Sequence, residues 1–131
     1  MNKKKKTPAK PRARKVQRRN TGPKPEHQRR LLHSTYFRLK DRSQTSCAAY
    51  IAACIRFLSI SKGITGFWVG QLGEDFRRPV NDLTFDVAMH IEFENFAAWL
   101  AYNDDPNHHQ FVQAVGSLAA SRRVFDIYLE K

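Results

Sequence analysis

Cysteine is scarce in this 131-residue chain: Cys47 and Cys54 are the only two. They sit in a segment of helical periodicity, which separates their Cα atoms by about 10 Å along the axis and puts a disulfide out of reach. Two thiols on a buried face suit a reducing compartment. Glycine is thin as well. Gly63, Gly66, Gly70 and Gly73 are scattered, and none makes a glycine-rich turn ahead of a helix, so a nucleotide-phosphate loop is excluded. No apolar run is long enough to cross a bilayer. The basic start of the chain is not followed by the apolar core of a secretory leader, so no signal peptide is expected. These absences point to a soluble cytoplasmic protein. No His-Glu-x-x-His or paired-cysteine motif sets a metal geometry, and no Ser-His-Asp order suggests a nucleophilic triad.

Acid is missing from one end. Met1 to Arg30 holds 13 Lys or Arg against the single acid Glu26, a balance of +12, which leaves 10 bases and 11 acids, or −1, for Leu31 to Lys131. The formal charge of +11 therefore belongs to the tail and says nothing about what the rest of the chain binds. Residues 1–30 read as a disordered basic tail. Lys3 to Lys6 form a block, prolines recur at 8, 11, 23 and 25, and Val16 is nearly the only bulky apolar residue before His27. Such a segment cannot bury enough surface to offset its ordering entropy. Its functional reading is attachment to nucleic acid or another polyanion through phosphate contacts; its plainer reading is a solubilising tail. No aromatic residue interleaves with the bases, which removes the stacking half of a single-strand platform.

What is present lies in residues 31–131. Leu31 to Lys40, LLHSTYFRLK, places His33, Thr35, Phe37 and Leu39 on one strand face and Leu32, Ser34, Tyr36 and Arg38 on the other. Ser43 or Thr45 can cap a helix whose stripe is Cys47, Ile51, Cys54, Ile55 and Leu58. Ile64 to Leu72 is a second strand, and Gly73 to Asn81 has loop chemistry. In Phe85 to Phe93 strict alternation sets Phe85, Val87, Met89, Ile91 and Phe93 opposite Asp86, Ala88, His90 and Glu92. Asn95 can cap a second helix with Phe96, Trp99 and Leu100 on one side, stopped by Asn103-Asp104-Asp105-Pro106. His108 to Ser121 resumes helical spacing with Phe111, Val112, Val115 and Leu118, and Arg123 to Glu130 closes as a strand.

This order predicts an α+β fold: a ferredoxin-like βαββαβ antiparallel sheet with its helices on one face. Tyr36, Trp68 and Tyr128 are candidates for the uncovered face. An open apolar sheet face exceeds what a monomer tolerates, so a second copy is expected to close it, giving a homodimer in the form of a dimeric α/β barrel.

The residues resemble the stress-responsive A/B barrel (Dabb) family over about Leu31 to Glu130. The marks are the strand histidine of LLHSTYFRLK, Asp86 at the opening of the third strand, FENFAAWLAYNDDPNHHQFV, and the terminal VFDIYLE. The family loop Tyr-x-x-His-Pro-x-His corresponds to Tyr102 through His108, except that Asp105 stands in place of the first histidine. Val87 occupies the strand position where a plant polyketide cyclase of the family presents a histidine. The resemblance implies substrate anchoring by Tyr102 and general-base work by His108, with His33 as a further polar group.

Physical reading of the residues leads to the same place. Near a helix N-terminus His108 favours the neutral imidazole, which can accept a proton. The Tyr102 hydroxyl can orient or donate to a substrate oxygen. His33, Thr35, Phe37 and Val87 would line the ligand pocket between sheet and helices. The chemistry that fits is proton abstraction beside a carbonyl, in a cyclase, isomerase or monooxygenase-type reaction without a cofactor. The plainer alternative has His108 capping the helix, Tyr102 filling the core, and His33 as a satisfied buried histidine. His90 is expected at the barrel seam or in solvent, and His109 exposed. Asp104, Asp105, His108 and His109 cluster in sequence but carry no metal motif, so no metal is expected. The partners implied are a second copy, a small organic ligand and, through the tail, nucleic acid, with no membrane.

Overall fold

Among the described residues, alternating apolar side chains mark two of the strands and a side-chain cap starts each α-helix. The computed structural model describes residues 24–131; the basic tail as far as residue 23 lies outside the described residues. The strands are β1 (Leu31–Leu39), β2 (Ile64–Gln71), β3 (Val87–Phe93) and β4 (Ala119–Tyr128), and the helices are α1 (Gln44–Leu58), α2 (Phe96–Asp104) and α3 (Pro106–Val115). All strand pairs are antiparallel, in the order β2-β3-β1-β4. This is the expected ferredoxin-like α+β arrangement.

Each helix begins where a short polar side chain can accept from an open backbone N–H. Ser43 accepts from Ser46, Asn95 from Ala98, and Asp105 from Asn107. Pro106 then occupies the first turn of α3, where its missing N–H costs nothing. Gly63 precedes β2 with φ +90°, and a Cβ there would stand 2.6 Å from the Ala98 methyl carbon. Only glycine fits both the backbone and the approach of α2.

The core lies between the helices and the sheet face that carries Phe37, Leu39, Val87, Met89, Ile91 and Phe93. From the helices it receives Cys47, Tyr50, Cys54, Leu58, Tyr102, Phe111 and Val115. Each fully buried large side chain contributes about 1.5–3 kcal/mol by leaving water. Asp86 knots the strand ends together. Its carboxylate accepts from the Leu39 N–H at 2.8 Å and from Arg42 Nε at 2.9 Å, while its backbone bonds to Phe37 and Leu72.

Several expectations are corrected. Tyr128 faces the helices, because its register opposite Leu31 puts it on the core side. Phe125 and Ile127 take the open face in its stead. Phe85 precedes the strand, so alternation does not govern it, and its ring meets Tyr36 at 5.0 Å. In α1 the buried stripe runs through Tyr50 rather than Ile55, which is half exposed. Leu100, Val112 and Leu118 are also largely exposed. α3 ends at Val115 and a 3-10 turn leads into β4 at Ala119, four residues earlier than expected, because Leu39 pairs with Ala119. At the other end, outside these corrections, a 3-10 turn over Pro25–Gln28 stacks His27 on Phe96 at 4.3 Å.

Candidate functional site

Alternation in β1 turns His33, Thr35 and Phe37 toward the helices. The corner between α2 and α3 is a single residue, Asp105, which serves as cap to both helices. That tight turn places Tyr102, in the last turn of α2, against His108, in the first turn of α3, with ring centroids 4.9 Å apart at 76°. The His33 ring lies 6.1 Å from Tyr102 on the other side. Residues 33, 102 and 108 thus form one chain of rings, His33-Tyr102-His108, between sheet and helices.

Burial acts on the protonation of two of these rings, Tyr102 and His108. Burial lowers the His108 pKa below the ordinary histidine value of 6.5, helped by His109, Arg122 and His33 and opposed by Asp105. Its imidazole is therefore neutral near pH 7. Burial raises the Tyr102 pKa, so the phenol keeps its proton and is a donor rather than an anion. His108 does not cap α3, since Asp105 does. Among the described residues neither the Tyr102 hydroxyl nor the His108 imidazole has a hydrogen-bond partner.

His33 is different. Its Nδ1 lies 2.5 Å from Asp126 Oδ1 and its Nε2 faces the Thr35 hydroxyl at 3.3 Å, so both nitrogens are engaged. Asp126 has no role in the sequence reading; the signal for it is the β1-β4 register, which sets it directly opposite His33. Val87 is fully buried, flanked by Phe37 and Gln71 on the neighbouring strands. A hollow of about 390 Å³ on the helix side of the sheet is lined by Phe37, Tyr50, Phe111, Val112, Ser117 and Arg122 among others; of the residues expected to form the ligand site Phe37 alone borders it, and His33, Thr35, Val87, Tyr102 and His108 do not. Arg122 escaped the sequence reading because β4 was expected to start one residue after it.

The opposite face of the sheet is uncovered by helices. Trp68, Phe125 and Ile127 are 55%, 53% and 53% exposed there. Tyr36, Phe85, Phe76, Ser34 and Arg123 border a larger hollow of about 570 Å³. His90 sits on this face with Nδ1 2.7 Å from the Ser34 hydroxyl. His109 is exposed. Among the described residues no three His, Cys, Asp or Glu side chains are grouped to hold a metal ion, and no helix is long and apolar enough to cross a membrane.

Residues 31–129 match the Stress Responsive A/B Barrel Domain (Dabb), so the chain belongs to that family. No curated protein matches it. Among solved structures it is similar to a Dabb family protein with a ferredoxin-like fold from Mesorhizobium loti, with 24% identity, 79% of this chain and 100% of that one covered, and a TM-score of 0.66. It is also similar to the hydroxynitrile lyase of Passiflora edulis, with 18% identity, 79% and 96% coverage, and a TM-score of 0.65. A dimeric ferredoxin-like protein of unknown function from Thermobifida fusca shares 17% identity, with 77% and 92% coverage and a TM-score of 0.63. At these identities the likeness shows the fold.

Proposed function

We propose that this stress-responsive A/B barrel domain works as a homodimer that binds a small organic ligand between sheet and helices and moves a proton on it. The observation that carries this reading is the convergence of a neutral imidazole and a protonated phenol, both without protein partners among the described residues, on the helix side of the sheet, where Phe37, Tyr50 and Phe111 line a hollow. His108 takes a proton from a carbon next to a carbonyl. The Tyr102 O–H donates to the carbonyl oxygen as negative charge builds on it. The imidazolium then returns the proton at another atom of the same ligand, which restores the enzyme and completes an isomerisation or an aldol-type ring closure. No cofactor takes part. His33, held by Asp126 and Thr35, ends the ring chain and meets Tyr102 edge-on. A solved protein of the same fold is a hydroxynitrile lyase, which supports an enzyme reading of the fold.

Dimerisation rests on the apolar open face, where Trp68, Phe125 and Ile127 await a cover, and is supported by the dimeric relatives of the same fold. The test is a thermal-shift and turnover screen with enolisable aromatic ketones. A ligand at a hundred times its Kd stabilises by about 2.7 kcal/mol, a shift of several degrees. His108→Ala is expected to keep the dimer and lose turnover. If no compound shifts the wild type, the ligand reading fails.

A second reading has one observation in its favour, the concentration of 13 bases against one acid in residues 1–30. On that reading the paired tails bind RNA or DNA. Deleting residues 1–30 removes the affinity, and affinity falls steeply with salt. Affinity that survives the deletion refutes the tail as its source.

A further inference from the structure

The hollow on the helix side of the sheet combines three aromatic rings with serines and small residues, and one wall carries a permanent positive charge. Arg122 extends from β4 at the position opposite Phe37 and lines the hollow together with Phe37, Tyr50 and Phe111. Its neighbours' carboxylates are already taken. Asp126 is bound to His33, and Asp82 to Arg123 at 2.9 Å. Among the described residues no acid pairs with Arg122. Residues 1–23 contain no Asp or Glu that could reach it. Nor does an aromatic face hold the guanidinium, since the cation-π pair of the described residues is Arg56 on Phe57. Its charge reaches Tyr50, Tyr102 and His108, where it favours the deprotonated form against or alongside the larger effect of burial.

We propose that the ligand of this cavity is an organic anion, an aryl or arylalkyl carboxylate, whose charged group is held by Arg122 while its ring packs on Phe37, Tyr50 and Phe111. A guanidinium presents two parallel N–H groups that match a carboxylate, and the pairing strengthens as the ligand displaces water from the aromatic wall. The inference rests on the proposed ligand-binding function and narrows its substrate class.

The experiment uses the full-length chain and a series of aryl and arylalkyl carboxylates, each measured beside its primary amide by calorimetry and thermal shift. Wild type is compared with Arg122→Gln and Arg122→Lys, and two-dimensional NMR follows the rings of residues 37, 50 and 111. The carboxylates are expected to bind at least about tenfold tighter than their amides, and to lose about tenfold to a hundredfold in Arg122→Gln with partial recovery in Arg122→Lys. Shifts at the three rings separate this site from anion capture by the basic tail. Amides that bind as well as acids, in wild type and variant alike, overturn the anion preference and leave the ligand site standing. Silence across every acid and amide overturns both. Sedimentation of Arg122→Gln as a monomer would assign the residue to the subunit interface and overturn the inference as well.

Discussion

Asp126 on β4 holds the ring of His33 on β1, with Oδ1 2.5 Å from Nδ1, and so turns the opposite nitrogen toward the Thr35 hydroxyl. The pair ties the edge strand to the centre of the sheet at the floor of the candidate site. Neither side chain is fully buried, so solvent screening keeps the interaction modest. A double-mutant cycle of His33→Ala and Asp126→Ala is expected to show a coupling of about 0.5–1.5 kcal/mol by urea denaturation. Strict additivity of the two substitutions would mean that the contact stabilises nothing.

Asp86 is expected to be the costliest polar residue of the domain to lose. Its carboxylate is buried and answers the Leu39 N–H and Arg42 together. Asp86→Ala leaves a buried donor without a partner and should cost about 3 kcal/mol, whereas Asp86→Asn, which keeps one acceptor, should cost less. A loss below about 1 kcal/mol for the alanine variant contradicts this role.

Acid should weaken the fold through two histidines. His90 and His108 both have pKa values lowered by burial from the ordinary 6.5. Between that value and the lower folded pKa the unfolded chain binds more protons than the native one, so stability is intact above pH 6.5 and falls as pH drops through that window. His108→Gln and His90→Gln are each expected to flatten the pH dependence of the unfolding free energy. A wild-type curve that is flat, or that rises toward acid over this window, goes against the assignment.

Both thiols should be silent in the native protein. Cys47 and Cys54 are buried, and burial pushes the Cys54 thiol up to about 12 and also raises Cys47. A chromogenic disulfide reagent at pH 8 is expected to titrate neither cysteine before urea is added and both afterwards. Rapid reaction of either thiol in the folded state would show that the helix-sheet core opens.

Equilibrium sedimentation at micromolar concentration should return a dimer for the wild type, and a monomer for Phe125→Asp, which sets a charge in the middle of the open face. A wild type that stays a single protomer at high concentration removes the barrel from this account.

Local pattern and long-range pairing divide the information cleanly. The strand alternation of 31–40 and 87–93, the caps Ser43 and Asn95, and the proline stop before α3 are all readable in order along the chain, because each depends on residues within a few positions of one another. They suffice for the βαββαβ order and for the family. They also bring Tyr102 and His108 together, since only the short turn at Asp105 separates their helices. Residues whose place depends on a distant partner were not legible. Tyr128 changes face, β4 begins early at Ala119, and Arg122 and Asp126 enter the site, all through one register between β1 and β4.

By itself, the sequence determined the elements, the helix-side face of β1 and the charge that separates the tail from the domain; periodicity and capping are short-range physics written into neighbouring residues. Only the tertiary structure decided that His33 is clamped by Asp126, that Val87 is sealed in the core, and that Arg122 stands over the aromatic hollow. The burial of Val87 follows from the pairing of β3 with both its neighbours, and the other two outcomes from how strands roughly ninety residues apart align, where a shift of one residue would exchange the faces of every side chain on β4.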